Sequence, residues 1–298
     1  MNSLIVITGP TGVGKTKLSI ELAKKLNGEI INADAMQVYK NLNIGTAKIK
    51  DEEKDNIPHH LFDIKNIDED YTVYEYQKDC RKTIDEILKR KHVPIIVGGT
   101  GLYIKSALYD YKFLEHKIDS SKYDNIKTED LYKKLIKLDK KSIDKIDKNN
   151  RRRVLNALIY FENNKKSITE NHTQKILYDT IFIGLTTNRD NLYKRINKRV
   201  DEMLKDGLLE EVKYFYEKNI LTKPILNGIG YKEIIKYLNQ EISYEEAVEE
   251  IKKDSRHYAK RQYTFLKHQL PMSWFETNYD DFNKTINEVL KYIETKEK

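Results

Sequence analysis

The first third of the chain alternates short apolar runs with amphipathic stretches. Ser3–Thr8 (SLIVIT) is apolar from Leu4 to Ile7 and stops at Gly9, which predicts a buried strand. Lys15–Leu26 follows, with Leu18, Leu22 and Leu26 four residues apart, and predicts a helix. Glu29–Asp34 (EIINAD) reads as a second strand. Tyr71–Lys91 keeps Val73, Tyr76, Cys80, Ile84, Ile87 and Leu88 on one helical face. Val93–Val97 (VPIIV) is a third strand, closed by Gly98-Gly99. Such alternation predicts an α/β fold built on a parallel sheet.

The texture changes near Asp110. From there to Tyr178 the chain is rich in Lys and Asp. Leu131, Leu135 and Leu138, then Val154, Leu158 and Phe161, fall at helical spacing. This predicts a helical insertion over 110–178 within a core formed by 1–109 and 179–298. The strand pattern resumes at Thr180–Leu185 (TIFIGL), and helices follow over Arg189–Asp206, Leu208–Lys218, Tyr231–Leu238 and Tyr244–Gln269.

Composition narrows the function classes. With 298 residues, 39% of them hydrophobic, the chain can bury a sizeable core. No apolar window is long enough to span a membrane, and the N-terminus lacks the basic and apolar regions of a signal peptide. The expectation is a soluble cytoplasmic protein without membrane association, and a monomer. Lys and Arg number 54 against 47 Asp and Glu, a formal charge of +7 that favours a polyanionic partner. The single cysteine, Cys80, excludes an intrachain disulfide and a multi-cysteine zinc site. Pro58-His59-His60-Leu61 lacks further ligands at zinc spacing, so a structural or substrate-positioning loop is expected there.

Candidate chemistry begins at Gly9-Pro10-Thr11-Gly12-Val13-Gly14-Lys15-Thr16, a full match to G-x-x-x-x-G-K-[ST] between a strand and a helix. Such a loop turns backbone N–H groups onto a phosphate, and the helix N-terminus adds positive potential. Lys15 would neutralise phosphate oxygens and Thr16 would hold Mg²⁺. The motif alone leaves ATP, GTP and a prenyl diphosphate open. A standard ATPase should also show an apolar strand ending in Asp; neither VPIIVGG nor TIFIGLT does.

Asp34 ends the second predicted strand, where a parallel sheet lines its ligand crevice. It could take a proton from an amine, bind Mg²⁺ through water, or cap a turn. Gly98-Gly99-Thr100-Gly101-Leu102-Tyr103 permits close approach of a backbone or a ligand beside the same crevice.

Taken together, GPTGVGKT (9–16), NADAMQVY (32–39), IGTAK (44–48), PHHLFD (58–63), GGTGLY (98–103), RVDEMLKDGLLEEV (199–212), GIGYKE (228–233) and YAKRQYTF (258–265) resemble the tRNA dimethylallyltransferase family. They occur in the family's order and cover nearly all the chain outside the insertion. The resemblance implies a P-loop NTPase-like core. It also implies transfer of a dimethylallyl group from dimethylallyl diphosphate to the N6 amine of the adenosine 3′ of the anticodon. It implies diphosphate binding by Gly9–Thr16, with Mg²⁺ at Thr16. Asp34 matches the general base and Thr100 a position that contacts the target nucleotide; with Lys15 of the loop they are the catalytic candidates. The tRNA anticodon stem-loop would be met by Asp34, Ala35, Met36, Gln37 and Thr100. Further contacts would come from Arg152, Arg153, Val154, Leu155 and Asn156, and from Lys260, Arg261 and Gln262. Four positions depart from the family pattern: Ala35 for a usual Ser, Asn150 for Asp, Asn156 for Arg and Phe265 for Trp.

Arg195 and Arg199, one helical turn apart, could close over the diphosphate. Arg151–Arg153, and Arg256, Lys260, Arg261 and Lys267, form basic clusters suited to phosphates. The competing readings are a small-molecule P-loop kinase, a prenyltransferase acting on free adenylate, and an RNA-binding protein that retains the loop without catalysis.

Overall fold

The computed structural model describes residues 3–111, 113, 121–170 and 172–297. In chain order the elements are β1 (Leu4–Thr8), α1 (Lys15–Leu26), β2 (Gly28–Asn32), β3 (His59–His60), α2 (Val73–Lys89), β4 (Val93–Gly98), α3 (Gly101–Leu108) and β5 (Tyr109–Tyr111). Then come α4 (Thr128–Leu138), α5 (Arg151–Asn164), β6 (His172–Ile176), β7 (Thr180–Thr186), α6 (Arg189–Lys205) and α7 (Leu208–Glu217). The remainder is α8 (Lys223–Asn227), α9 (Tyr231–Leu238), α10 (Tyr244–Gln269), β8 (Ser273–Glu276) and α11 (Phe282–Lys296). The chain forms two compact units, one of Met1–Leu108 with Tyr178–Lys298, the other of Tyr109–Leu177.

In the larger unit six parallel strands run in the order β3-β2-β4-β1-β7-β8. Strands β1 and β2 are buried along their whole length, as the continuous apolar runs require. The helices α1 and α11 close one face with Leu18, Leu22, Ile286, Val289 and Ile293. The loop after β1 opens between β4 and β7, where the chain's connections diverge to either side of the sheet. This is the switch point at which ligands bind in open α/β sheets.

Helix ends follow local chemistry. Thr72 caps α2 and Ser243 caps α10, each in a reciprocal capping box with a Glu three residues on. The second strand ends at Asn32, so Asp34 lies two residues beyond the ladder rather than at its last position. Asn32 causes the break: its side chain bonds the Asp34 backbone N–H and carbonyl and the Leu61 carbonyl, turning the chain out of the sheet.

The smaller unit packs Tyr123, Leu131, Leu135, Val154, Ala157, Leu158 and Ile159 into its own core. Its helices α4 and α5 carry the expected periodicity. The unit also contains an antiparallel pair, β5 with β6, that the helical reading did not foresee. Two short strands in a Lys-rich background leave too brief an alternation to recognise. Asn150 caps α5 by accepting from the Arg153 N–H at 3.1 Å, a task the usual Asp performs equally well. Among the described residues no helix is long and apolar enough to cross a membrane.

Candidate active site

The phosphate loop is held by its carbonyls. Lys15 Nζ donates to the Gly9 and Pro10 carbonyls at 3.1 and 2.9 Å. Arg195 Nε donates to the Gly12 carbonyl at 2.9 Å, and Thr277 Oγ1 to the Val13 carbonyl at 3.0 Å. Tying these acceptors down turns the loop's N–H groups, Thr11 excepted, toward an anion. Gly14 sits at φ +94°, and a Cβ there would come within 2.8 Å of the Phe282 ring, so only glycine fits. Val13 is fully buried and offers its backbone alone.

The loop faces a cavity of about 630 Å³ whose walls include Thr11, Gly12, Lys15, Thr16, Asp34, Arg195, Arg199 and Tyr258. Asp34 Oδ1 accepts from the Met36 N–H at 2.9 Å, so the turn-capping alternative is realised. Among the described residues no donor takes its other oxygen, and Asp34 still lines the cavity. One carboxylate thus both fixes its turn and presents a free acceptor. Burial, then the charge of Arg199, push the Lys15 ammonium down to about 8, against the opposing pull of Asp34. Arg199 Nη2 donates to the Thr46 carbonyl at 3.3 Å, while Arg195 stacks on Tyr279 with its guanidinium carbon 4.1 Å from the ring centroid.

The glycine-rich turn after β4 is crowded by protein rather than open to a ligand. A Cβ on Gly98 would fall 2.3 Å from the Ala33 backbone, on Gly99 2.0 Å from Gln262 Nε2, and on Gly101 2.4 Å from the Phe265 ring. The close approach belongs to α10. Gln262 Oε1 accepts from the Thr11 N–H at 3.0 Å and its Nε2 donates to the Gly99 carbonyl at 3.1 Å. The side chain at 262 is therefore turned inward, where it joins the phosphate loop to the turn after β4 and lines the cavity. Thr100 Oγ1 accepts from the Ala35 N–H at 3.1 Å, so the Ala at that position still supplies its backbone.

Tyr258, one turn before Gln262, did not stand out in the sequence as a site residue. Thr100 and Gln262 neighbour its side chain. Burial, and then the Asp34 charge, push its hydroxyl up to about 12, so it remains a protonated donor. Its spacing to Gln262 within YAKRQYTF was the available signal. A second cavity of about 390 Å³ shares Thr11, Asp34, Arg199 and Tyr258 with the first and continues past Met36, Met203, Ile229, Asp254 and Arg261.

Other expected contacts sort by exposure. Arg152, Arg153, Lys260 and Arg261 are exposed, and Leu155 and Asn156 partly so. Val154 is fully buried in the smaller unit's core, so its side chain cannot meet an RNA. Arg151 likewise leaves the basic cluster: its guanidinium binds the Tyr123 carbonyl at 2.7 Å and that of Ile126. Gln37 Nε2 is spent on the Thr46 carbonyl at 3.0 Å. Arg256 binds Asn197 Oδ1 at 2.7 Å.

The motif IGTAK is scaffold. Glu211 accepts from the N–H groups of Asn43, Ile44 and Gly45 and from the Tyr231 hydroxyl, which brings three of the matched segments into one joint. His60 is structural too. It meets buried Glu29, which Arg90 grips with two bonds of 3.0 and 2.7 Å and His92 meets at 2.7 Å. Among the described residues no group of three or more His, Cys, Asp or Glu could hold a metal. Thr16, exposed at the start of α1, fits an ion held mainly by substrate phosphates and water, the usual habit of Mg²⁺.

A parallel sheet with a phosphate loop at its switch point and a carboxylate in the same cavity defines a P-loop-type α/β core that handles a phosphorylated substrate. The model of the family described as IPP transferase matches residues 37–269. A tRNA dimethylallyltransferase of Anoxybacillus flavithermus is 46% identical over 300 residues, spanning 98% of this chain and 96% of that protein. The tRNA isopentenylpyrophosphate transferase of Bacillus halodurans superposes with a TM-score of 0.78 at 40% identity, covering 99% of this chain and 97% of that one. A eukaryotic dimethylallyltransferase acting on tRNA gives a TM-score of 0.88 at 30% identity, covering 99% and 80% respectively. The chain belongs to the IPP transferase family and is a transferase.

Proposed function

We propose that this chain transfers a dimethylallyl group from dimethylallyl diphosphate to the N6 amine of the adenosine 3′ of the anticodon in tRNA. The observation that carries the reading is one cavity lined by both the phosphate loop with Lys15 and the free oxygen of Asp34. The loop Gly9–Thr16 receives the diphosphate with the N–H groups that Pro10 and the Thr11–Gln262 bond leave available, and Lys15, Arg195 and Arg199 surround it with positive charge. An allylic C–O bond breaks readily because its cation is delocalised, so the main task is to stabilise charge on the leaving diphosphate. Mg²⁺ beside Thr16 would add positive charge at the same oxygens. The adenine N6 attacks the allylic carbon, and Asp34 takes the N6 proton, a contribution of about 10²–10⁴-fold for a placed general base.

The target base reaches Asp34 only after leaving its stack, and the single-stranded bases of an anticodon loop allow this. The second cavity, which shares Asp34 with the first, is the place for that base. Exposed Arg152, Arg153, Lys260 and Arg261 meet backbone phosphates. The test is mass spectrometry of nucleosides from unmodified tRNA incubated with the enzyme, dimethylallyl diphosphate and Mg²⁺. An adenosine carrying a five-carbon prenyl increment is expected. Consumption of ATP with no prenylated tRNA would favour a kinase instead, and prenylation of free AMP in preference to tRNA would favour an adenylate prenyltransferase.

A further inference from the structure

Thr11, Asp34, Arg199 and Tyr258 line both cavities and so stand between them, and the space beside these four is called the neck. On the proposed reading of function, on which this inference rests, the donor's diphosphate occupies one side and the acceptor base the other. The allylic carbon must then cross the neck while it carries positive charge. Three of the four neck residues are ill suited to that carbon. Arg199 repels a cation, Thr11 offers no π surface, and Asp34 is engaged with the acceptor's proton. Tyr258 alone brings an aromatic ring.

We infer that the Tyr258 ring is a catalytic group that covers the allylic cation at the neck and keeps water from it. The negative face of an aromatic ring attracts a desolvated cation, and a large apolar surface leaves no room for a competing nucleophile. Tyr258 lines both cavities, with Thr100 and Gln262 neighbouring its side chain. The Arg261 guanidinium lies 5.7 Å from the ring centroid, near the outer limit for such a contact, so it engages the ring weakly.

The chemistry has two balanced outcomes after the C–O bond breaks and its electron pair leaves with the diphosphate. Attack by the N6 lone pair forms the C–N bond and passes the N6 proton to Asp34. Attack by water forms dimethylallyl alcohol and releases a proton to solvent. Covering the carbon favours the first outcome over the second.

The test measures both products from one incubation of tRNA, dimethylallyl diphosphate and Mg²⁺. In Tyr258→Leu the ratio of dimethylallyl alcohol to prenylated tRNA should rise about 10-fold or more over wild type. In Tyr258→Phe the ratio should stay near wild type, because the ring remains. The ratio does not depend on how much of each variant folds. A wild-type ratio in Tyr258→Leu would overturn the inference. So would loss of both products in that variant, which would place Tyr258 in binding or folding rather than at the partition. A wild-type enzyme that prenylates no tRNA would instead refute the reading of function beneath it.

Discussion

At the residue scale, Lys15 and Asp34 carry the proposed chemistry, and their surroundings set how each should behave. Lys15 titrates near 8 in the free protein because burial and Arg199 disfavour its charge. Only the protonated form neutralises a diphosphate. The kcat/KM for the donor should therefore fall as pH rises through about 8, and the limb in kcat should lie higher, since bound diphosphate favours the ammonium. Lys15→Arg, which stays charged, should remove the alkaline limb of kcat/KM; a limb unchanged in that variant would assign it elsewhere. Asp34→Asn keeps an oxygen for the Met36 N–H and so preserves the turn, but cannot take a proton. Its turnover should drop by about 10²–10⁴-fold with donor affinity little changed. Three of the four departures from the family pattern also resolve at this scale, and nothing in the structure explains Asn156. Ala35 acts through its N–H, Asn150 caps a helix as Asp would, and Phe265 packs on Gly101.

At the scale of elements, α10 positions the site. Through Gln262 it spans two loops that are far apart in sequence. Gln262→Ala would leave the Thr11 N–H and the Gly99 carbonyl without partners and should cost about 1–3 kcal/mol of stability. Denaturant titration would measure it. The donor KM should rise as well, because the phosphate loop loses a fixed point. A second element-level device ties β2, β3 and the start of β4 together around Glu29. Burial pushes the Glu29 carboxyl up, but hydrogen bonds from Arg90, His60 and His92 outweigh it and bring it from 4.5 to about 2. A depressed carboxylate stabilises the fold fully above its unfolded value and loses that contribution as pH falls through its folded value. Stability should therefore decline between pH 4.5 and about 2, by on the order of 3 kcal/mol from this group. Glu29→Gln should be less stable than wild type at pH 7 and close to it at pH 2.

At the scale of the whole molecule, a net charge of +7 and the exposed arginines and lysines of both units suit a polyanion. Affinity for tRNA should fall steeply with salt, and Arg152→Ala should weaken it while leaving the donor KM in place. A filter-binding series in rising KCl would check both. Much of this was legible in the chain. Periodicity placed β1, β2, β4, β7 and most helices, though not the short edge strands β3 and β8, and the loop Gly9–Thr16 with Asp34 marked the site, because each depends on contiguous residues and local backbone chemistry. What the linear order could not supply was which side chains turn inward. Arg151 and Gln262 sit in stretches that look like surface, yet hydrogen bonds claim both, whereas the burial of Val154 follows the apolar spacing it shares with Leu158. Tyr258 became a site residue only when α10 crossed the turn after β4. Local pattern determined the phosphate loop and the sheet that presents it. The long-range approach of α10 decided which residues face the cavity, because side-chain direction at a crossing depends on the partner element as much as on the element itself.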